Sequence, residues 1–479
     1  MPHSASGANP GWKHHNMAAP IIQGSSYSNS NPESEVGLYK VGPIVMREGV
    51  SRQHLWTLFF VSFFSIAMMN SVGIMQAYLF NEILKIPLNE QGSLTGTLLV
   101  VQEFVVILLV GVAGALSDRA GRPPIFATGF LLLALGYCLY PLASGDLETI
   151  RWELVFFRLF IASGVACIQV MLVSVANDYT VDRTRAKTIA AVFIFNGVGI
   201  ASLPRLVGGL PQMFIERGID PVWAGRYTYW ILSGICVTLA LVLLWGLKPG
   251  AMTKSKEREP LLSTLRVGLA AARMPRVALG YAAAFVSRAD LAVVSQFLTL
   301  WLVQEGMAQG MTPAEATVKA TGFYIVIQAF ALPWAVVFGI LLDKIDRLKG
   351  LMIGMGVAFV GYASLGMLEN PLSNGMYVAA AFVGAGEMSS NISATSLIGK
   401  EAPERGRGAV LGLFSLFGAL GIMVVGIVGG WLFDNWKPVG PFLYMAGSNG
   451  FMVLLAIGVF ITTRRATAAA ALKQAATAP

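Results

Sequence analysis

Gly114-Ala-Leu-Ser-Asp118-Arg119-Ala-Gly121-Arg122 is a burst of glycine and charge wedged between two apolar runs, each long enough to cross a bilayer. A second copy stands at Gly339-Ile-Leu-Leu-Asp343-Lys344-Ile-Asp346-Arg347, again between two apolar runs. Another pair repeats at nearly the same offset: Asp182-Arg183-Thr-Arg185 followed by Gly199-Ile200, and Glu404-Arg405-Gly-Arg407 followed by Gly421-Ile422. The chain is therefore two related halves, and duplicated halves in a membrane protein point to a transporter.

Composition agrees, since 55% of the 479 residues are hydrophobic and only 13% are charged, more apolar surface than a soluble fold can hide. Runs poor in charge fall near 55–80, 93–117, 124–144, 152–177, 187–210, 228–247, 276–304, 320–342, 350–369, 374–399, 408–433 and 440–462. This predicts about twelve transmembrane helices, six per half, in an all-α membrane protein, because hydrocarbon leaves backbone amides no partner but the helix itself. Lysine and arginine crowd the loops on one side. The other side holds Lys85, Arg151, Arg205, Arg217, Arg226, Lys319 and Lys437. The positive-inside rule then places both termini in the cytoplasm, and the plasma membrane is the expected location.

The expected organisation is a disordered tail over 1–50, a first bundle over 51–247, a cytoplasmic linker over 248–275, a second bundle over 276–463 and a tail over 464–479. The net charge of +8 belongs to the cytoplasmic face and its anionic lipid, which argues against nucleic acid as a partner. All four histidines, His3, His14, His15 and His54, precede the first span, and Cys138, Cys167 and Cys236 fall inside spans. That pattern offers no metal site, no disulfide framework and no nucleophile with its base, and no phosphate-cradling glycine loop is present. The reading is a non-enzymatic, monomeric transporter without cofactors, whose partners are a small molecule, protons and membrane lipid.

The stretch from Gly114 to Arg122 resembles the signature Gly-x-Leu-x-Asp-Arg-x-Gly-Arg of the major facilitator superfamily, matched at every position, with the weaker repeat at Gly339 carrying Lys344 and Asp346 instead. The likeness covers about residues 50–465 and implies two six-helix bundles around a cavity that opens alternately to either side. Leu154-x-x-x-Arg158 resembles the fourth-helix pattern of proton-coupled members, with Ile161 and Ala162 where glutamine and glycine are usual. Gly199-x-x-x-Leu203-Pro204-x-x-x-Gly208-Gly209 resembles the antiporter signature, with Leu203 replacing a glycine and one residue inserted before the glycine pair. These residues imply proton coupling and export.

Gly114, Asp118, Arg119, Gly121, Arg122, Arg185, Asp343, Arg347 and Arg407 form the expected conformational latch, with Asp118 held by Arg185, Arg407 or the start of the eleventh span near Gly408. The alternative is a cluster of charges that only fixes topology.

Deep ionisable groups should carry the mechanism, because burying one is costly unless it faces a cavity or a partner. At ~1.5 Å per residue, Glu103, Arg288, Asp290 and Glu387 sit roughly 17–21 Å from the nearest interface, and Arg158 about 10 Å from the outer face. The carboxylates are proton candidates and the arginines switching cations. Arg288 and Asp290, two apart on one helix, point to nearly opposite faces. Glu103 either titrates during transport or pairs with Arg158. Glu387, Ser390, Asn391 and Thr395 form a polar stripe. Asn70, Gln169, Asn196, Gln296, Gln328, Asn391, Tyr281 and Tyr324 are the candidate lining of a substrate cavity. The function expected is proton-coupled export of a small organic molecule; proton-coupled uptake of an organic anion is the alternative.

Overall fold

The computed structural model describes residues 40–250 and 261–477. They form thirteen α-helices: α1 (Arg52–Tyr78, extended by a π turn at Leu79–Ile83), α2 (Gln91–Ala120), α3 (Arg122–Leu139), α4 (Leu147–Tyr179), α5 (Asp182–Ile215), α6 (Pro221–Gly246), α7 (Leu261–Ala271), α8 (Pro275–Ala308), α9 (Pro313–Lys344), α10 (Arg347–Leu365), α11 (Gly375–Glu401), α12 (Arg407–Asn435) and α13 (Gly440–Thr477). Eleven are long and apolar enough to cross a membrane. The twelfth span, α11, has the length but carries Glu387, Ser389, Ser390, Asn391 and Ser393, and this polar stripe lowers its hydropathy.

Local chemistry sets the helix ends. Asp146, Asp220 and Asp346 accept backbone N–H groups at the starts of α4, α6 and α10. Thr312 and Glu315 cap α9 reciprocally, with Pro313 in its first turn. The signature loop is one residue long: Gly121 breaks the chain between α2 and α3 at φ 94°, a conformation that costs glycine nothing and other residues much. Pro123 and Pro124 then start α3.

Packing repeats between the halves. In the first, α1 packs on α5, α2 on α4, and α3 on α4 and α6. In the second, α8 packs on α12, α9 on α11, and α10 on α11 and α13, the same pairings with each helix advanced by seven labels. The repeated glycines take equivalent places: the Cα of Gly199 lies against the Phe63 carbonyl, and that of Gly421 against the Phe285 carbonyl. A methyl at either would collide with backbone, which cannot turn aside. Gly199→Ala and Gly421→Ala should each destabilise the protein by about 1–3 kcal/mol, read as a lower thermal unfolding midpoint in detergent, whereas Gly234→Ala, where a Cβ meets nothing, should not.

Four expectations change. Residues 40–50 belong in part to a folded element: Lys40–Val41 and Ile44–Val45 form a hairpin, the Val45 N–H donates to Thr184 Oγ1 at 3.2 Å, and Arg47 N–H donates to the Tyr179 carbonyl at 2.9 Å. Ile44, Val45 and Met46 supply the apolar contacts that hold it there; residues 1–39 lie outside the described region. The linker contains helix α7, tied down by the Tyr281 hydroxyl, which donates to Gly268 O at 2.9 Å. The carboxy-terminal segment continues α13 as far as Thr477. Arg151, Arg205, Arg226 and Lys319 lie within α4, α5, α6 and α9 rather than in loops.

Candidate functional site

The halves meet through α2 with α12, α5 with α9, and α1 with α8. Call the end bearing the Gly121 turn the signature side and the other end the far side. On the far side the bundles are closed. Asp434, near the end of α12, accepts the backbone N–H of Gly92 at 2.7 Å with Oδ1 and that of Ser93 at 2.6 Å with Oδ2. Gly92 and Gly96 of α2 bring backbone against Gly430 and Gly426 of α12. Gln304 of α8 donates to Gln91 Oε1 at 3.0 Å, and Gly73 of α1 lies against Ser295 and Gln296. On the signature side the start of α12 is covered by α7, Gly268 lying against the Ala409 carbonyl, while a Cβ on Gly408 or Gly412 would meet nothing. The molecule is shut on the far side.

Between these levels the deep charges sort into three places. Glu103 of α2 and Arg288 of α8, from opposite halves, lie within electrostatic reach. Arg288 is solvent-reachable although it sits mid-helix, as on the wall of a cleft. Glu103 therefore faces Arg288 and not Arg158.

Asp290 and Glu387 are buried inside the second half. Asp290 accepts from Ser390 Oγ at 2.8 Å and from Asn449 Nδ2 at 2.8 Å, while the Tyr362 hydroxyl donates to its backbone oxygen at 3.1 Å. Glu387 is 3% exposed, and its Oε2 has no hydrogen-bond partner. The two carboxylates are close enough to interact. No arginine or lysine bonds to either among the described residues. Arg288 and Asp290 do point apart, one into the cleft and one into the bundle.

Arg158 is fully buried. Its guanidinium donates to Tyr140 Oη at 3.4 Å and, across the halves, to Gln296 Oε1 at 3.4 Å, while Nε has no partner.

The neutral candidates scatter more widely. Asn70 lies against the Tyr324 hydroxyl, which itself is near Glu387. Gln296 joins the Arg158 contact. Asn196 is buried with Oδ1 unpartnered, and Gln328 is buried. Asn391 is half-buried and Gln169 exposed. Tyr281 stacks on Phe417 with ring centroids 5.3 Å apart and spends its hydroxyl on α7, so it braces the linker helix and not the cleft.

The signature charges close on themselves in this conformation. Asp118 pairs with Arg122 at 2.8 Å; Arg122 also donates to Asp178 at 2.8 Å and to Ser117 Oγ at 2.5 Å. Arg185 pairs with Asp182, and Arg407 donates to Gly399 O at 3.0 Å. Asp343 meets Arg347 at 3.3 Å. Gly114 is buried in α2, and Arg119 is exposed. Asp118 thus reaches neither Arg185 nor Arg407 here.

Asp178, Asn449 and Asp434 escaped the sequence reading. Asn449 left a trace as an amide within an apolar span; Asp178 and Asp434 sit at helix ends, where a carboxylate carries no special signal. The Arg122–Asp178 pair is nearly buried, with side chains 10% and 5% exposed. Asp178→Asn should cost about 1.5–3 kcal/mol, because it removes one of the two carboxylates that neutralise a nearly buried guanidinium. Asp343→Asn, at a carboxylate 79% exposed, should cost under about 1 kcal/mol. Paired thermal unfolding curves check the contrast; equal losses would contradict it.

Comparison with known proteins agrees with this architecture. A family model described as the Major Facilitator Superfamily matches residues 56–424 and again 309–479. Magnetosome protein MamH of Paramagnetospirillum magneticum is 24% identical over 83% of this chain and 90% of its own length. Magnetosome protein MamZ of Magnetospirillum gryphiswaldense is 27% identical over 79% of this chain, which spans 58% of MamZ. The crystal structure of nucleoside transporter NupG has a TM-score of 0.66 at 14% identity, covering 86% of this chain and 99% of that one; at that identity the likeness concerns the fold.

Proposed function

The chain belongs to the major facilitator superfamily, whose members move small molecules by alternating access, and from that premise we propose that this transporter exchanges a small organic molecule for protons, exporting it. The observation that carries the proton assignment is the Asp290–Glu387 pair: two adjacent buried carboxylates whose bonding partners among the described residues are neutral hydroxyl and amide groups. Two bare negative charges at that depth are costly, so the pair holds a proton when the bundle is closed around it. Glu103 and Arg288 face each other from opposite halves, so rocking of the halves changes their separation and gives the second titratable contact that coupling requires. Export accords with the likeness of the Gly199–Gly209 segment to the antiporter signature. The family and the fold are those of transporters.

The crowding of lysine and arginine on the signature side supports cytoplasmic termini; a monomer in the plasma membrane is part of the same proposal. The state described, closed on the far side, is then closed to the outside.

A second reading, proton-coupled uptake of an organic anion, draws on Arg288, a guanidinium exposed in the cleft, since arginine grips carboxylate and phosphate with two parallel bonds. One experiment tests both. A ligand screen by thermal shift at an acidic and an alkaline pH should find a compound whose stabilisation depends on pH, because binding and protonation are linked. In liposomes preloaded with a pH-sensitive dye, that compound should drive protons against its own direction of movement. Movement in the same direction supports uptake, and the absence of any proton flux rejects both readings.

A further inference from the structure

The two halves also leave a groove between α5 and α9, of about 530 Å³, lined by Ala201, Leu206, Met213, Val318 and Ile325 together with Arg205. Arg205 is exposed, and it makes no hydrogen bond or ion pair with any other described residue. Gly322 on α9 leaves room for it: Nη1 comes within 3.5 Å of where a Cβ there would stand. Gly209 one turn further along α5 faces empty space in the same groove. The remaining charge on the lining, Glu216, is held at the rim by Gln212 Nε2 at 3.0 Å.

Depth makes the lone cation informative. Helix α5 has 34 residues, roughly 50 Å, and so overhangs a hydrocarbon layer of ~30 Å by roughly 10 Å at each end. Arg205 precedes the far end at Ile215 by ten residues, roughly 15 Å, which puts its Cα a few ångströms inside the far boundary. A guanidinium there can extend to the headgroup level but cannot stay unpaired in lipid. The apolar residues beside it offer nothing to pair with.

We propose that this groove is a phospholipid site: the phosphate pairs with the Arg205 guanidinium, and one acyl chain lies between α5 and α9 along Ala201, Leu206, Val318 and Ile325. The lipid would sit on an interface between the halves, so it would be bound differently in the two access states. The site stands apart from the buried carboxylates, and its occupancy can be tested without a known substrate.

The test is native mass spectrometry of the full chain in detergent, titrated with phosphatidylglycerol. The wild type should retain one tightly held lipid. Arg205→Gln should weaken that binding about tenfold, Arg205→Lys should recover part of it, and Arg217→Gln, beyond the helix end, should leave it unchanged. Gly209→Phe should also displace the lipid, by filling the groove while Arg205 remains. Retention of the tight lipid by both Arg205→Gln and Gly209→Phe would overturn the site. Displacement of the lipid by inorganic phosphate at equal concentration would overturn the lipid assignment, because the acyl chain would then contribute nothing.

Discussion

Asp434→Ala is expected to open the far side. Helix α2 begins after Glu90, whose side chain makes no capping bond, so its first N–H groups need a partner from elsewhere. Asp434 provides it from the other half, one oxygen to Gly92 and one to Ser93, with the positive end of the α2 dipole adding to the attraction. These bonds exist only while α2 and α12 touch, because no backbone link joins the two helices there. They therefore stabilise the far-closed state alone, and removing them shifts the population by their full differential value. Charge-assisted bonds of this kind are worth about 1.5–3 kcal/mol, and Ser93 is exposed, so a shift of about tenfold is expected. Thr299, nine residues before the far end of α8, is buried. A cysteine placed at that position should react with a membrane-impermeant thiol reagent about tenfold faster in the Asp434→Ala background, and somewhat faster with Asp434→Asn, which keeps one acceptor. An unchanged labelling rate in both backgrounds would mean that the glycine contacts at 92, 96, 426 and 430 hold the far side closed without the carboxylate.

What the sequence discloses and what it hides divides along physical lines. Span positions are legible because hydrocarbon demands a fixed length of apolar helix, and that demand is local. The duplicated halves are legible in Asp118–Arg122 and Asp343–Arg347, and the fold gives both pairs the same (i, i+4) geometry. Burial is legible in part: Asp290 and Glu387, singled out by counting along helices, are both buried. Which helices abut is not local, so spacing alone could show that Arg288 and Asp290 diverge but not that Asp290 meets Ser390 and Asn449 while Arg288 faces Glu103. Asp178 joins Arg122 across 56 positions, and Asp434 joins Gly92 across 342; neither pairing has a sequence period. Tyr281 shows the opposite failure. An aromatic in a span was read as cavity wall, but its hydroxyl serves the α7 backbone, and α7 itself lies in a stretch too short and too charged to register as a helix.

Glu387→Gln should remove the pH drive while leaving the pathway intact. Glutamine keeps the shape of the protonated acid, and the unpartnered Oε2 means that no existing bond is lost at that atom. The variant locks in the neutral form, so the proton that Glu387 would release never leaves. Transport driven by a proton gradient should fall at least about tenfold, the loss typical of removing a proton-transfer group. Exchange of labelled for unlabelled substrate across the membrane, which needs no net proton movement, should continue. Asp290→Asn should behave similarly, since an amide oxygen still accepts from Ser390 and Asn449, whereas Asp290→Ala would leave both donors unpaired in a buried site and lower stability as well. The sign of the pH dependence follows from the scheme. If a bound proton is required for the carrier to turn over, wild-type flux declines as pH rises through the titration of the pair, and the Glu387→Gln curve flattens. Because the two acids titrate as a unit, the double variant should lose little more than either single one. Driven transport that survives in Glu387→Gln, Asp290→Asn and the double variant alike would remove the pair from the coupling mechanism and leave Glu103 with Arg288 as its only described titratable contact across the cleft.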